Sequence, residues 1–369
     1  MFSIWEKQSF LKADICILGA GITGLSTAAT LKEHNKDLRV VVLERGVLPS
    51  GASTKNAGFA CFGSVSELLN DIDELGTEGM VSLVEKRING LEKTRTRLGS
   101  EAIDLQVKGG YELLFTKSEA LEAIDRINGL LSNFFKENVY HLMDHKISEF
   151  GFSNTAHMIS NQYEGQLDSG KLISSLWDYC SSLGVKIYTG CKVDRYTDKG
   201  DRVEIDGQGI SFQAQKLGIC TNAFSKEIIV DQLDLSPGRG MVMSIRPEHP
   251  LKFEGTFHYD QGYYYFRDYY GKLIFGGARN IDLHEETTTD FGINEKIQAK
   301  LKSDVEQLIL PGQAYQVENT WSGIMAFGSN KSPILKSVSQ NVAIGVRLGG
   351  MGVAIGSLVG DELAHLLTG

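Results

Sequence analysis

The stretch ICILGAGITGLSTAATLKEHNKDLRVVVLERG, Ile15 to Gly46, decides the fold. Ile15–Leu18 reads as a buried strand, and a glycine turn follows it. A helix from about Ile22 to His34 comes next, then a second apolar strand, Val40–Glu44. Strand, turn, helix and strand within about thirty residues form the opening of a dinucleotide-binding βαβ unit. In GAGITG, Gly19 permits the tight turn, Gly21 lets a pyrophosphate approach the backbone, and Gly24 lets helix and strand pack closely. The helix N-terminus offers Ile22 and Thr23 with free N–H groups and a positive dipole end. Glu44 ends the second strand, about twenty residues beyond Gly24, where a carboxylate accepts from a ribose hydroxyl. An acid there disfavours a 2′-phosphate and leaves NAD or FAD. A glycine-rich turn of purely structural use is the competing reading, and the flanking elements together with Glu44 count against it.

Length and charge narrow the class. A chain of 369 residues holds two domains, or one large α/β unit with an insertion. Its formal net charge of -9 argues against a nucleic-acid partner, which wants clustered Lys and Arg. Five scattered cysteines without a CxxC pair argue for reduced thiols and against zinc or a disulfide framework. The eight histidines show no metal-site spacing, so no metal is expected; His258 alone is worth watching. No secretory core and no bilayer-length apolar run is apparent, so the expectation is a soluble, cytoplasmic protein without a membrane span.

Helical spacing recurs over Ser64–Gly99 and Ser118–Asn138, and again near Lys171–Leu183. GVKIYTGCKVDRYT reads as strand, turn and strand. QKLGICTNAFS reads as a buried strand ending at Cys220, and GYYYFRDYYGKLIFGGARN as a hairpin turning near Tyr270–Gly271. The C-terminal VAIGVRLGGMGVAIGSLVGDELAHLL is strand, glycine loop and helix. Dinucleotide-type pieces at the start, middle and end imply two domains interleaved in sequence.

The choice between NAD and FAD turns on GASTKNAGFACFG, Gly51 to Gly63. An NAD-binding half would continue into another βα unit. Here the chain enters Gly, Ser, Asn and Ala backbone suited to lying along a flat ring system with its N–H groups inward; a surface loop is the alternative. In RLGGMGVAIGSLVGDEL, glycine recurs at Gly352, Gly356 and Gly360 as a helix begins. Such an N-terminus stabilises negative charge on a reduced flavin's pyrimidine edge, whereas close helix packing is the plainer use of the same spacing.

These pieces, with CTNAFS, YYYFR, LIFGGAR and TWSGIMAF in between, resemble in order the FAD-dependent amino-acid and amine oxidases of the D-amino acid oxidase (DAO) family. That group includes glycine oxidase, sarcosine oxidase and γ-glutamylputrescine oxidase, and the likeness covers nearly the whole chain. The resemblance implies an α/β (α+β two-domain) fold: a GR2-type Rossmann FAD-binding domain over 1–63, 155–235 and 330–369, interleaved with an antiparallel-sheet substrate domain over 64–154 and 236–329. It implies FAD contacts at Gly19, Gly21, Ile22, Thr23, Gly24, Glu44 and Arg45, and a flavin-wrapping segment with Ala52, Ser53, Asn56, Ala57, Gly58 and Phe59. Val193 falls on the adenine side. Thr221, Arg347, Leu348, Gly349, Gly350, Met351, Gly352 and Val353 complete the cofactor set.

Two departures bear on chemistry. Glycine oxidase and its relatives carry W-x-G-x-R-P, whose Arg clamps a substrate carboxylate. Here the run is WSGIMA, with Met325 in the Arg place, and a thioether cannot bind a carboxylate. The lettering WSGIMAF with YYYFR is closer to the γ-glutamylputrescine oxidase branch, which handles amines; Arg267, Arg279 or Arg347 remains open as a substitute clamp. Some sarcosine-oxidase relatives tether FAD through a Cys in the C-terminal third, but the last Cys here is Cys220, so noncovalent FAD is expected.

The reaction implied is oxidation of the C–N bond of a small amine or amino acid, by hydride transfer to flavin N5 with hydrolysis of the imine, oxygen or an electron carrier being the acceptor. Tyr263 and Tyr265 share a strand face with Arg267, and these three, with Lys55 and Met325, are the candidate residues at the reacting end. Sheet packing for the tyrosines and a solvated loop for Lys55 are the bland alternatives. A flavin dehydrogenase of a 2-hydroxy acid or amino acid, or a flavin-binding sensor without turnover, are the rival functions.

Overall fold

The computed structural model describes residues 1–229 and 232–369; Val230 and Asp231, within the expected 155–235 segment, lie outside the described residues. The opening strand forms as Lys12–Leu18 and the following helix as Ile22–His34. Ile15 and Ile17 face one core cluster while Cys16 and Leu18 face another, and Val40–Leu43 alternates in the same way. Burial on both faces is why these strands read as unbroken apolar runs.

They sit in a sheet of order Ile334–Ser337, Val342–Val346, Ile210–Ile219, Lys12–Leu18, Val40–Leu43, Lys186–Tyr188. Its four central pairings are parallel. Strand, turn and strand form in GVKIYTGCKVDRYT, but the two strands do not pair with each other. Lys186–Tyr188 pairs in parallel with the 40–43 strand, whereas Arg195–Asp198 pairs with Val203–Gly207; the apolar edge of the central sheet outcompetes the local turn.

The second sheet runs Tyr315–Phe327, Ser236–Pro247, Lys272–Gly277, Tyr264–Tyr269, Thr256–Tyr259, Gly110–Leu114, His157–Asn161, Tyr140–Leu142. It is antiparallel except where Thr256–Tyr259 meets Gly110–Leu114. The tyrosine-rich hairpin forms with Tyr270 at φ 47 and Gly271 at φ 77, the left-handed pair that a two-residue primed turn requires. The boundary expected at 155 falls short of the pairing: His157–Asn161 zips onto Gly110–Leu114 of this second sheet.

The Ile22–His34 helix is buried along nearly its whole length, between the parallel sheet and the C-terminal helix Gly352–Thr368. The two helices touch because they meet at glycine: an ideal Cβ on Gly360 would lie 2.6 Å from the Thr23 carbonyl oxygen, and one on Gly356 2.8 Å from the Ile22 side chain. Those two glycines therefore serve helix packing. The long helix Val65–Leu98 starts at a capping box of Ser64 and Glu67 and breaks its helical backbone at Gly76. Among the described residues no helix is long and apolar enough to cross a membrane.

Candidate active site and cofactor cleft

Both sheets and the Gly51–Gly63 segment close on one cleft of about 570 Å³. At its first end lie Gly19, Gly21, Ile22 and Thr23, with Glu44 and Arg45 beside them. Glu44 is buried, and its two oxygens accept from the Ala20 and Gly46 N–H groups, each at 3.0 Å. The carboxylate thus ties the turn to the end of the second strand while lining the cleft. The Arg45 guanidinium stacks 3.5 Å from the Phe224 ring centroid, and Val193 and Thr221 complete this end. Gly24 does not line the cleft; it is a packing residue beneath the turn.

The 51–63 segment lines the cleft through Gly51, Ala52, Ser53, Lys55–Phe59 and Cys61. Ser53 reaches back so that its hydroxyl accepts from the Ile22 N–H at 3.1 Å. Asn56 is the organiser of the loop: its amide donates to the Ala52 and Ser53 carbonyls, and its oxygen accepts from the Gly58 N–H at 2.8 Å. Gly58 must be glycine, with φ 75 and an ideal Cβ only 2.2 Å from the Leu167 carbonyl oxygen. Opposite, Leu348, Gly349, Gly350, Met351, Gly352 and Val353 line the cleft as the C-terminal helix begins. Gly349 and Gly350 both take left-handed φ, 57 and 82.

The floor at the far end is one face of the second sheet. Gly240, Val242, Tyr263, Tyr265, Gly277, Arg279, Gly323 and Met325 line it, the period-2 alternation of strands. Tyr264 and Phe266 point the other way, into the aromatic core with Phe257 and Phe275. The bland reading of the tyrosine run thus holds for Tyr264, while Tyr263 and Tyr265 face the cleft. Burial pushes the Tyr265 phenol up to about 12, against the pull of the Arg279 charge. Lys55 also lines the cleft; its carbonyl accepts from Trp321 Nε1 at 2.9 Å, which seats the loop on the sheet.

Besides Gly24, two expected site residues are elsewhere. Arg267 shares the face of Tyr265 but lies farther along the strand, buried beneath the loop, where its guanidinium donates to the Leu167 carbonyl at 3.0 Å. It does not line the cleft. Arg347 is also withdrawn: it donates to the Ser332 carbonyl and to Asn330 and is paired with Asp234. The notable residues left out of the sequence reading are Glu67 and Phe224. His258 and Glu67 line the cleft, and buried His258 has an unpartnered Nε2. Glu67 lines the cleft from the first turn of the long helix, where it also closes the capping box with Ser64. Among the described residues no cluster of His, Cys, Asp and Glu could hold a metal.

A glycine turn under a helix N-terminus, an acid at the ribose position and a flat glycine-lined passage over a polar floor fit a flavin dinucleotide. Residues 14–366 match the DAO family model, described as FAD dependent oxidoreductase. The chain belongs to that family. Among curated proteins it is 23% identical to the probable oxidoreductase OrdL of Haemophilus influenzae, over 97% of this chain and 83% of that protein. Its fold is that of glycine oxidase from Geobacillus kaustophilus (TM-score 0.77, 19% identity, 97% and 95% of the two chains). It is equally that of iminodiacetate oxidase from Chelativorans sp. (TM-score 0.78, 18% identity, 96% and 95%). This DAO-family chain is therefore an FAD-dependent oxidoreductase.

Proposed function

We propose that this protein oxidises the C–N bond of a small amino compound, releasing an imine that water hydrolyses. The observation that carries the reading is the continuity of the cleft, from the GAGITG turn along Ala57–Phe59 to a floor holding Tyr263, Tyr265, Lys55 and Met325. When bound, FAD supplies the hydride acceptor. The chain supplies position and environment. Gly21, Ile22 and Thr23 would hold the pyrophosphate, Glu44 the ribose and Val193 the adenine side. Ala57, Gly58 and Phe59 would hold the ring system, with Gly349–Gly352 on the opposite wall of the cleft. Tyr263, Tyr265 and Met325 shape a half-buried end that excludes water and favours the neutral amine needed for reaction.

Attachment is noncovalent in this reading. Cys61, the cysteine within the wrapping segment, is buried against Met351 at 3.9 Å, and burial pushes its thiol well up, away from thiolate character. Oxygen or an electron carrier accepts the electrons. Anaerobic addition of amino-compound pools to the purified, FAD-loaded protein tests the proposal: the visible flavin bands should bleach. Bands that persist with every amine and amino acid, but bleach with a 2-hydroxy acid, would replace it.

A further inference from the structure

The wall of the cleft beside Tyr265 is acidic, and no ion pair closes it. His258 pairs with Tyr265 in the sheet register, and both line the cleft, so the two side chains stand one strand apart on its floor, about 4.8 Å. Phe59 touches both, its ring centroid 5.0 Å from that of His258 and 5.7 Å from that of Tyr265. The long helix begins over the turn that joins their strands. An ideal Cβ on Gly262 would lie 2.6 Å from Glu67 Oε1, which places this carboxylate at the His258 end of the floor. Asn70 and Glu74 follow on the same helix and line the same cleft.

The other charges around this corner are taken. Asp71 binds both Arg87 and Lys331, at 3.1 and 2.6 Å. Glu164 accepts from the Phe62 and Gly63 N–H groups, and Glu112 from Ser66. Glu67 differs: its Oε2 accepts from the Ser64 N–H and hydroxyl, each at 3.0 Å, whereas its Oε1 accepts from none of the described residues. Among the described residues neither Glu67 nor Glu74 has an ion-pair partner, and Glu74 accepts only from Asn70. His258 is 6% exposed, and its Nε2 is buried without a hydrogen bond. Burial holds the imidazole below its usual pKa against the pull of Glu67, so the ring is neutral and offers an acceptor nitrogen. A buried carboxylate oxygen and a buried imidazole that both lack partners are costly unless a ligand supplies them. Glu67 brings charge as well, so the donor that fits is a cation. Among the described residues no cluster could hold a metal, which leaves an organic ammonium or amidinium.

We propose that Glu67 and His258 form a subsite for a second cationic group of the substrate, and that this enzyme oxidises amines whose chain carries a distal ammonium or amidinium. This rests on the C–N oxidation reading and names its substrate class. The reacting amine lies over Tyr265 and Met325, and the distal cation donates to Glu67 Oε1 and His258, one strand away. Glu74, exposed about two turns further along the helix, draws the dication toward the cleft.

The test uses the FAD-loaded protein with benzamidine, a cation that has no oxidisable C–H beside nitrogen, and its neutral counterpart benzamide. Binding of each is followed through perturbation of the flavin spectrum. Benzamidine is expected to bind the natural protein on the order of 10- to 100-fold more tightly than benzamide. E67Q, whose glutamine keeps the capping box, should erase that preference and leave benzamide affinity unchanged. H258Q should reduce it, and carries the test if E67Q fails to load FAD. No preference for benzamidine in the natural protein, or one that survives in E67Q and H258Q, overturns the assignment. A parallel anaerobic series pairs lysine with norleucine and putrescine with butylamine, each pair differing by one distal ammonium. The dicationic member should bleach the flavin at lower concentration, and E67Q should raise that half-saturating concentration with little change in the limiting rate. If single amines bleach the flavin as readily as their dicationic partners, this inference falls while the oxidation reading stands. If nothing bleaches it but benzamidine still binds through Glu67, the reverse holds.

Discussion

Gly24 packs so tightly beneath the carbonyl of Gly19 that an ideal Cβ on it would lie 1.9 Å from that oxygen and 3.3 Å from the Ile17 side chain. The contact joins the first helix to the first strand and thereby aims the helix N-terminus into the cleft. G24A must open this joint. Although alanine favours a helix, overpacking of this kind costs about 1–3 kcal/mol. A lower melting temperature and a lower ratio of flavin to protein absorbance are expected together. A variant that retained full FAD content would show that the turn tolerates displacement.

Glu44 acts on the same turn from the other side. Its carboxylate accepts from both Ala20 and Gly46 N–H groups, so a glutamine there leaves one of two buried donors facing an NH₂ group. Leaving such a donor unsatisfied costs roughly 1–3 kcal/mol. FAD titration of apo-E44Q should therefore show a Kd raised about 10- to 100-fold. Equal affinity for FAD in E44Q and the natural protein would remove Glu44 from the binding set.

Two buried carboxyls make stability depend on pH. Burial raises Glu112 to about 7 and Glu164 to about 8. Glu164 accepts from the Phe62 and Gly63 N–H groups at 2.8 and 3.1 Å, which only partly offsets burial. Both groups hold protons more tightly folded than unfolded. Their contribution is thus greatest below the ordinary carboxylate range and is lost as pH rises through about 7 and 8, at up to about 1.4 kcal/mol per pH unit for each. Denaturant unfolding between about pH 5 and 8 should show falling stability, and E112Q and E164Q should flatten the slope. Parallel curves for the variants and the natural protein would contradict the shifted carboxyls.

How far the sequence foretold this site follows from which contacts are local. The βαβ unit was legible because its strands are buried on both faces and its glycines sit at fixed offsets. The Tyr263 and Tyr265 face was legible from strand alternation. The same alternation misplaced Arg267, since two residues along a strand is about 7 Å, enough to carry it out of the cleft and under Gly58. Arg347 misled for another reason: its φ of 62 turns the chain as the strand ends, and its side chain goes to Asp234. Arg279 stood in the sequence as one of three open choices. Of the three it alone lines the cleft, because it follows the Lys272–Gly277 strand as that strand leaves the floor.

Lys55 is one of the cations that line the cleft. Its backbone is pinned by Trp321, its stem lies over Gly323, and its ammonium sits 5.4 Å from the Phe291 ring centroid. Among the described residues it has no carboxylate partner. A fixed positive charge at this place stabilises negative charge that develops nearby, whether on the reduced cofactor or on oxygen as it accepts an electron. The two roles separate in stopped-flow work on the two half-reactions. If Lys55 serves the acceptor step, K55M should slow reoxidation by dissolved oxygen on the order of 10- to 100-fold, about 1.4–2.8 kcal/mol of barrier. Anaerobic reduction by substrate should slow much less, and K55R, which keeps the charge, should fall between K55M and the natural enzyme. Reoxidation at the natural rate in K55M would leave Lys55 no part in the electron-acceptor step, and the seating of the loop on Trp321 would be its whole contribution.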